Sequence, residues 1–306
     1  EPAEDWDAAG DGMHVYNCPS CGAELICDEN TAATSCPYCG NPSIVPGQLS
    51  GMLKPDYVLP FKLDKAAAIA ALKKHYGKKL LLPKAFRDQN HIEQIQGVYV
   101  PFWLFDMKSD ADLSFNATRS HVHTEGDWEV TTTEHFRIRR AGTVEFARIP
   151  VDGSSKMPDD YMDSIEPFDF SELKPFSTAY MPGYLADKYD VSADESEPRA
   201  SVRCESSATQ LAMRDVTGYD TVTPTGGDVH TVREGVKYAM MPVWMLSTKW
   251  KDQNYLFAMN AQTGKLVGDL PVDSMRYNLL RLAVAGGITL LMVLTGLGGA
   301  IAGLFL

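Results

Sequence analysis

Two stretches of this sequence lack charge, one of a single sign and one of both signs. Residues 1–53 contain eight acids but no lysine or arginine, and residues 282–306 contain no charged side chain. A segment without cations cannot replace the counterions of a phosphate backbone. The whole chain is acidic too, with a formal net charge of −12 over 306 residues. We therefore predict that the protein does not bind nucleic acid.

The short motifs of several common enzyme classes are also missing. The sequence has no G-x-x-x-x-G-K-[ST] phosphate loop, no H-E-x-x-H metal motif and no G-x-S-x-G nucleophile turn. Its composition is otherwise that of a globular protein, with 44% hydrophobic and 22% charged residues. No catalytic constellation is evident, so we predict a protein that is not an enzyme.

The uncharged stretch predicts a membrane-spanning helix. Twenty-five helical residues rise about 37 Å, which exceeds the roughly 30 Å of a bilayer's hydrocarbon core. Arg276 and Arg281 precede it, and the positive-inside rule then places the preceding residues in the cytoplasm. We expect a single-pass helix over residues 279–306, resembling a tail anchor in the cell membrane; a buried core helix is the alternative. Gly299 and Gly303 have the spacing of a helix–helix contact, which leaves homo-oligomerisation open.

Four of the six cysteines form two C-P-x-C-G motifs, with 14 residues between the two cysteine pairs. Each motif turns two sulfurs toward one centre, and four thiolates make a closed tetrahedral site. The pattern predicts one structural Zn²⁺ bound by Cys18, Cys21, Cys36 and Cys39. Two disulfides or a redox pair are the alternatives, and a cytoplasmic location disfavours stable disulfides. Cys27 and Cys204 lie outside the motifs.

The remaining pattern predicts an α+β fold, with an N-terminal zinc ribbon, a β-rich middle domain with a few helices and a single C-terminal transmembrane helix. Asp64 is a candidate cap for a helix over residues 65–76, and Ser192 for a helix that restarts after Pro198. Residues 125–127 read as the turn of a hairpin. The predicted divisions are an acidic disordered leader at 1–15, the ribbon at 16–46, a linker at 47–56, the β-rich domain at 57–272 and the membrane helix at 279–306.

Two groups of polar residues have side chains suited to metal binding or to acid–base chemistry. His121 and His123 alternate along a predicted strand opposite Glu134 and His135, so they share a face that can bind a second metal; we interpret it instead as a solvated sheet surface. The acids of residues 159–169 can act as acid–base pairs, but acids near helix starts are more often dipole partners or surface groups.

Trp103, Trp244 and Trp250 are expected in the core, with a ligand cleft between them as the alternative.

Several sequence runs resemble a bacterial family. They are YNCPSCGA at 16–23, CPYCG at 36–40, GVYVPFWLF at 97–105, IPVDGS at 149–154, IEPFD at 165–169, PGYLADKY at 182–189, PVW at 242–244 and FAMNAQTG at 257–264. The chain is similar, over residues 16–306, to membrane-anchored zinc-ribbon proteins of Gram-positive bacteria. These are often labelled transcription-factor-IIB-type zinc ribbons or replication-restart-helicase-like proteins.

The resemblance implies a role in a membrane-stress operon and in recruiting a flotillin-like (SPFH-domain) protein to the membrane. The helicase label implies ATP binding, which the missing phosphate loop contradicts. We therefore expect a membrane-anchored adaptor or scaffold that presents a cytoplasmic docking surface to a cytoplasmic or membrane-associated protein. The alternative is a membrane-bound small-ligand sensor or enzyme that uses the aromatic β domain.

Overall fold

One mixed β-sheet organises the chain, and within the described residues it has eleven strands. The computed structural model describes residues 13–28, 35–41, 45–46, 53–77, 79–89 and 92–294. The predicted α+β class is confirmed. The strands are β1 (Met13–Asn17), β2 (Glu24–Asp28), β3 (Val45–Pro46), β4 (Tyr57–Val58), β5 (Gln96–Glu125), β6 (Trp128–Asp152), β7 (Lys174–Pro175), β8 (Leu185–Asp187), β9 (Thr221–Trp250), β10 (Gln253–Asn260) and β11 (Leu266–Gly268).

The sheet runs in the order β11-β10-β9-β5-β8-β2-β1-β3. Strand β5 is central: it pairs with β9 along one side, and along the other with β8 first and with β6 from Phe102 onward. Strand β4 pairs with β7 and, in parallel, with β9. The two 30-residue strands β5 and β9 therefore connect every other part of the sheet.

The central part of the sheet is covered on both faces. Val98, Val100 and Phe102 of β5 pack in one cluster of buried residues, whereas Tyr99 and Trp103 pack in another. Strand β9 divides its buried side chains between the faces in the same alternating way. A strand covered on both sides reads as a continuous apolar run, which is what residues 97–105 show.

Five α-helices occur in the described residues. They are α1 (Lys65–Gly77), α2 (Lys84–Gln89), α3 (Asp159–Ser164), α4 (Ala193–Arg214) and α5 (Ser274–Leu294). The predicted caps are confirmed: the Asp64 carboxylate accepts the amide of Ala67 at 2.8 Å, and Ser192 forms a capping box with Glu195. The prediction that α4 restarts after Pro198 is wrong. Proline there removes only one bond near the start of the helix, so α4 continues through it.

The outer halves of β5, β6 and β9 form a three-stranded projection, which we call the β arm (residues 106–125, 128–146 and 221–235). Helix α4 packs on one face of the arm, where it meets a small cluster that includes Leu113, Phe115 and Ile138. Strand β5 continues from the body into the arm as one element. The predicted hairpin turn is confirmed, with Gly126 at φ +64°.

The four-cysteine segment is part of the same sheet. Strand β2 pairs with β8 through Leu25↔Asp187 and Ile26↔Ala186, which joins β1, β2 and β3 to the centre. Cys18, Ala23 and Cys36 also pack in the same buried cluster as residues of β5 and β9. The divisions at residues 46 and 57 therefore do not separate two hydrophobic cores.

Helix α5 begins at Ser274 and is described as far as Leu294. In the described part of the chain, no helix combines the length and the apolar character needed to cross a membrane. The membrane helix predicted over 279–306 is thus not found among the described residues, and its portion from 295 onward, with Gly299 and Gly303, lies outside them. Most of the predicted leader, residues 1–12, lies outside them as well.

Candidate metal centre

Two matching turns present the four cysteines of the C-P-x-C-G motifs. In the first, the Cys18 amide donates to Ala23 at 2.9 Å and the Gly22 amide donates to the Cys18 carbonyl at 2.8 Å. In the second, the Gly40 amide donates to the Cys36 carbonyl at 2.9 Å. Gly22 and Gly40 both have φ of +71°, a conformation that glycine adopts without steric cost. The glycine after each second cysteine is thus required by the turn.

The turns bring the four sulfurs around one point. The Sγ atoms of Cys18 and Cys39 lie 3.6 Å apart, as do those of Cys21 and Cys36, and all four lie within 4.8 Å of one another. Sulfurs about 2.3 Å from a central Zn²⁺ form a tetrahedron with edges of about 3.8 Å. The four cysteines therefore lie together in an arrangement that fits a metal ion. All four are free thiols, so the pair of disulfides is not formed in this structure.

The electrostatics of the cluster favour a cation. Burial raises the pKa of Cys18, but amide and thiol hydrogen bonds outweigh it and lower this pKa to about 7. Burial raises the pKa of Cys21 to about 11 and also raises that of Cys36. Several negative charges cannot gather in so small a volume without a positive charge at the centre. A bound metal ion would supply that charge and displace the thiol protons.

The cluster is attached to the body by polar contacts on both of its turns. The Gln96 side chain at the start of β5 donates to the Ser35 hydroxyl at 2.7 Å, which holds the second turn. Lys188 forms an ion pair with Glu24 at 2.9 Å, next to the β2–β8 pairing. The sequence pattern identified the four cysteines but not these two attachments, because each attachment joins residues that are far apart in the chain.

A buried carboxyl group lies beneath the second turn. Asp187 is 1% exposed and accepts a hydrogen bond of 2.6 Å from the Ser154 hydroxyl. Burial raises the pKa of Asp187 to about 7, and the Ser154 hydrogen bond only partly opposes that effect. Burial and the charge of Asp187 in turn raise the pKa of Tyr38, which lies between the two cysteines of the second motif. The second cysteine turn and a proton-binding carboxyl group thus share one buried environment.

The histidines of the predicted hairpin lie at the end of the β arm. His121 and His123 are exposed, and the His121 ring lies 3.8 Å from a carboxylate oxygen of Glu134. Among the residues that the structure describes, the four cysteines are the group that brings three or more potential metal ligands together. The histidine face is therefore a solvated part of the arm.

Three of the five acids of residues 159–169 pair with two arginines of α4, Arg199 and Arg203, which the sequence pattern did not indicate. Arg199 contacts Asp152, Asp159 and Asp163 at 2.9–3.0 Å. Arg203 binds Glu166 with both guanidinium nitrogens, at 3.0 and 2.6 Å. These ion pairs hold α3 and its following loop against α4, so the carboxylates have a structural role.

An aromatic cleft of about 940 Å³ opens where the β arm meets the body. Trp103, Phe176, Tyr189 and Tyr238 line it, together with the ion pair of Asp56 and Lys237. Trp103 is 4% exposed and donates to the Val191 carbonyl at 2.9 Å; Trp244 is 5% exposed and donates to Leu63. The prediction that these two tryptophans belong to the core is confirmed.

One curated relative aligns with nearly the whole chain. It is "Uncharacterized protein YdjG" of Bacillus subtilis (strain 168), which is 39% identical over 331 residues, covering 92% of this chain and 97% of the relative. The chain belongs to the YdjG family. No family model matches the sequence. No solved structure matches it either.

Proposed function

We propose that this YdjG-family protein is a membrane-anchored scaffold, with one structural Zn²⁺, that presents a cytoplasmic docking surface to a protein partner. The observation that carries the proposal is helix α5, whose apolar side chains pack against almost nothing. Exposed fractions are 69% for Leu279 and Leu282, 53% for Val284, 50% for Ile288 and 61% for Leu290. Helices of water-exposed proteins bury such residues, so α5 needs an apolar environment that the body does not supply.

Sequence and structure together support a bilayer as that environment. The uncharged run continues from Leu282 to residue 306, which is long enough for a spanning helix. Thr289, a polar residue within α5, donates its hydroxyl to the Ala285 carbonyl at 2.8 Å, which satisfies it inside the helix. Arg276 and Arg281 lie at the beginning of the helix and favour a cytoplasmic body.

A scaffold role also fits the metal centre. Four cysteine ligands complete a tetrahedral Zn²⁺ and leave no position for a substrate, so such an ion stabilises structure. Its contribution would act on the whole body, since the cysteine turns share the core of β5 and β9. The resemblance to zinc-ribbon proteins of membrane-stress operons makes an SPFH-type protein the first partner to test.

Membrane attachment is tested by placing lysines on α5. The variant Ile288→Lys/Leu290→Lys/Leu291→Lys should release the full chain from isolated membranes, because these exposed residues lie well inside the span predicted over 279–306. Each lysine near the middle of a span costs about 3 kcal/mol. The matched control places three lysines at exposed apolar sites elsewhere, Val122, Val202 and Val232. The control should stay with the membranes through an alkaline wash. Release of the unaltered protein by that wash would refute the anchor.

The docking role is tested by affinity purification of the full chain in mild detergent, with zinc measured on the same sample. About one equivalent of zinc should accompany the protein and its partners. The variant Cys18→Ser should lose the zinc and, if the cysteine turns form the dock, the partners with it. Partners that remain after complete zinc loss would assign the dock to another part of the body.

The aromatic cleft supports a second candidate function, a membrane-bound small-ligand sensor. Its four aromatic side chains beside an ion pair resemble the lining of a small-molecule site. Ligand binding there should quench the fluorescence of Trp103 and raise the unfolding temperature, and the variant Tyr189→Ala should weaken both effects. If no compound in a ligand library changes either the fluorescence or the unfolding temperature, the sensor function is refuted and the scaffold function remains.

A further inference from the structure

Positive charge is concentrated in one segment of this acidic chain. Residues 65–87 contain seven lysines and arginines and no acid, which leaves 21 Lys+Arg against 40 Asp+Glu in the rest of the sequence. The segment forms α1, the turn after it and the first part of α2. A local excess of this size in a chain of net charge −12 predicts a surface with its own electrostatic partner.

Several lysines of this segment are exposed on the side of α1 and α2 that faces away from the body. Helix α1 packs on the body through Ala68, Leu72 and Tyr76, which are at most 3% exposed. Lys73, Lys74, Lys79 and Lys84, which we call the basic face, are all exposed. Their ammonium groups have no carboxylate partner among the described residues, in contrast to Lys62, which pairs with Glu172 at 2.8 Å.

The turn between α1 and α2, which lies between lysines of the basic face, contacts the base of helix α5. The Asp273 amide donates to the Leu81 carbonyl at 2.8 Å, and the Arg276 guanidinium donates to the carbonyls of Leu80 and Leu82 at 3.3 and 3.4 Å. The apolar helix therefore leaves the body from the turn that joins α1 to α2. Along the sequence, Lys73 and Lys79 precede this junction by no more than the number of residues in about two helical turns.

Exposed apolar side chains and one further lysine, Lys251, lie close to this junction and to α2. Leu80 and Met275 are each 83% exposed at the junction. Phe86 of α2 contacts the ring of Trp250 at 5.7 Å, so the turn between β9 and β10 lies beside α2. That turn adds Lys251, whose ammonium lies 5.9 Å from the Trp250 ring. Exposed lysines around exposed leucine and methionine match a surface that lies against lipid headgroups.

We propose that the basic face binds anionic phospholipid headgroups and holds the body against the cytoplasmic leaflet around α5. This proposal rests on the membrane anchor proposed above and names the lipid class that the anchored protein contacts. Charge complementarity and continuity with α5 favour a lipid over a nucleic acid, since the apolar Leu80 and Met275 gain nothing from a phosphate backbone. Each basic residue near an anionic bilayer strengthens binding about fivefold.

The test transfers the full chain from mild detergent to vesicles of phosphatidylcholine, either pure or with about 30 mol% phosphatidylglycerol. Partitioning should favour the anionic vesicles. The variant Lys73→Gln/Lys74→Gln/Lys84→Gln should lower that preference about 100-fold at low salt. The charge-matched control Lys54→Gln/Lys108→Gln/Lys174→Gln should keep it, because these lysines lie on other parts of the body.

Acetylation of individual lysines, read by mass spectrometry, locates the contact. Lys73, Lys74, Lys79 and Lys84 should react several-fold more slowly on anionic than on neutral vesicles, whereas Lys174 should not change. Equal partitioning without such protection would overturn the lipid contact and leave the anchor intact. Salt-sensitive binding to anionic vesicles alone would support the contact and overturn the anchor. Equal protection by a DNA duplex without vesicles would overturn the assignment to lipid.

Discussion

The four-cysteine cluster and the tip of the β arm both carry metal-binding residue types at close spacing, yet they differ in outcome. Four cysteine sulfurs lie within 4.8 Å of one another, whereas among the described residues of the tip no third ligand joins the exposed pair of His121 and Glu134. Each cysteine lies on a turn whose amides and glycine fix its direction, and the turns pack in the core. The comparison teaches that convergence and burial, more than residue type, create a metal site.

The largest effect should follow the loss of one cysteine ligand. The variant Cys36→Ser should lose the bound metal and be destabilised by about 4 kcal/mol when free metal is about 1,000-fold above its dissociation constant. Metal content and denaturant unfolding measure both changes on one sample. Cys27→Ser is the matched control, because Cys27 is equally buried but outside the cluster. A Cys36→Ser protein that keeps its metal would contradict the assignment.

The buried carboxyl group beneath the second turn should make stability depend on pH. The pKa of Asp187 is raised from 3.8 to about 7, so its contribution to stability is present at low pH and is lost as pH rises through about 7. The unfolding free energy of Asp187→Asn relative to the unaltered protein should therefore rise between about pH 4 and pH 7, by on the order of 3 kcal/mol.

The control for this pH dependence is Asp190→Asn. Burial raises the pKa of Asp190, but hydrogen bonds from Ser155 outweigh it and lower this pKa below 3.8. Its contribution is therefore present above about pH 4 and is lost as pH falls. The relative stability of Asp190→Asn should fall as pH rises toward about 4 and stay level between about pH 4 and pH 7. Two variants with the same pH trend would show that burial of Asp187 is not the cause.

Replacing one glycine by alanine in each region compares the cysteine cluster and the β arm at an equal conformational cost to the backbone. Gly22 in the first cysteine turn and Gly126 in the arm hairpin have φ of +71° and +64°, and a new Cβ would meet no atom within 4 Å at either position. Each alanine variant should lose about 1 kcal/mol of stability. Only Gly22→Ala should also weaken metal binding, measured by competition with a chelator. Equal metal affinity in both variants would mean that the turn does not position the sulfurs.

The smallest effect is expected at the arm tip. The double variant His121→Ala/His123→Ala should keep the metal content and change the unfolding free energy by less than about 0.5 kcal/mol, as exposed substitutions usually do. Metal analysis before and after zinc addition checks this. A second equivalent of zinc that disappears in the double variant would show that the tip is a metal site.

Local patterns predicted the parts that local forces determine. The cysteine motifs, the Asp64 and Ser192 caps and the turn at Gly126 depend on a few neighbouring residues, and the structure confirms them. Pro198 misled the prediction of α4, because the capping box at Ser192 and packing on the sheet outweigh one lost bond. The charge excess of residues 65–87 was visible in the sequence but gains its meaning only beside α5.

The sequence by itself determined the four clustered cysteines, the helix caps and the uncharged stretch that begins in α5, since each depends on residues close in the chain. Only the tertiary structure decided that β2 joins β8, that Asp187 lies beneath the metal turn and that α5 begins at the basic face. These are pairings over more than 100 residues of chain. Their free energy comes from burial shared by distant segments, which no local pattern records.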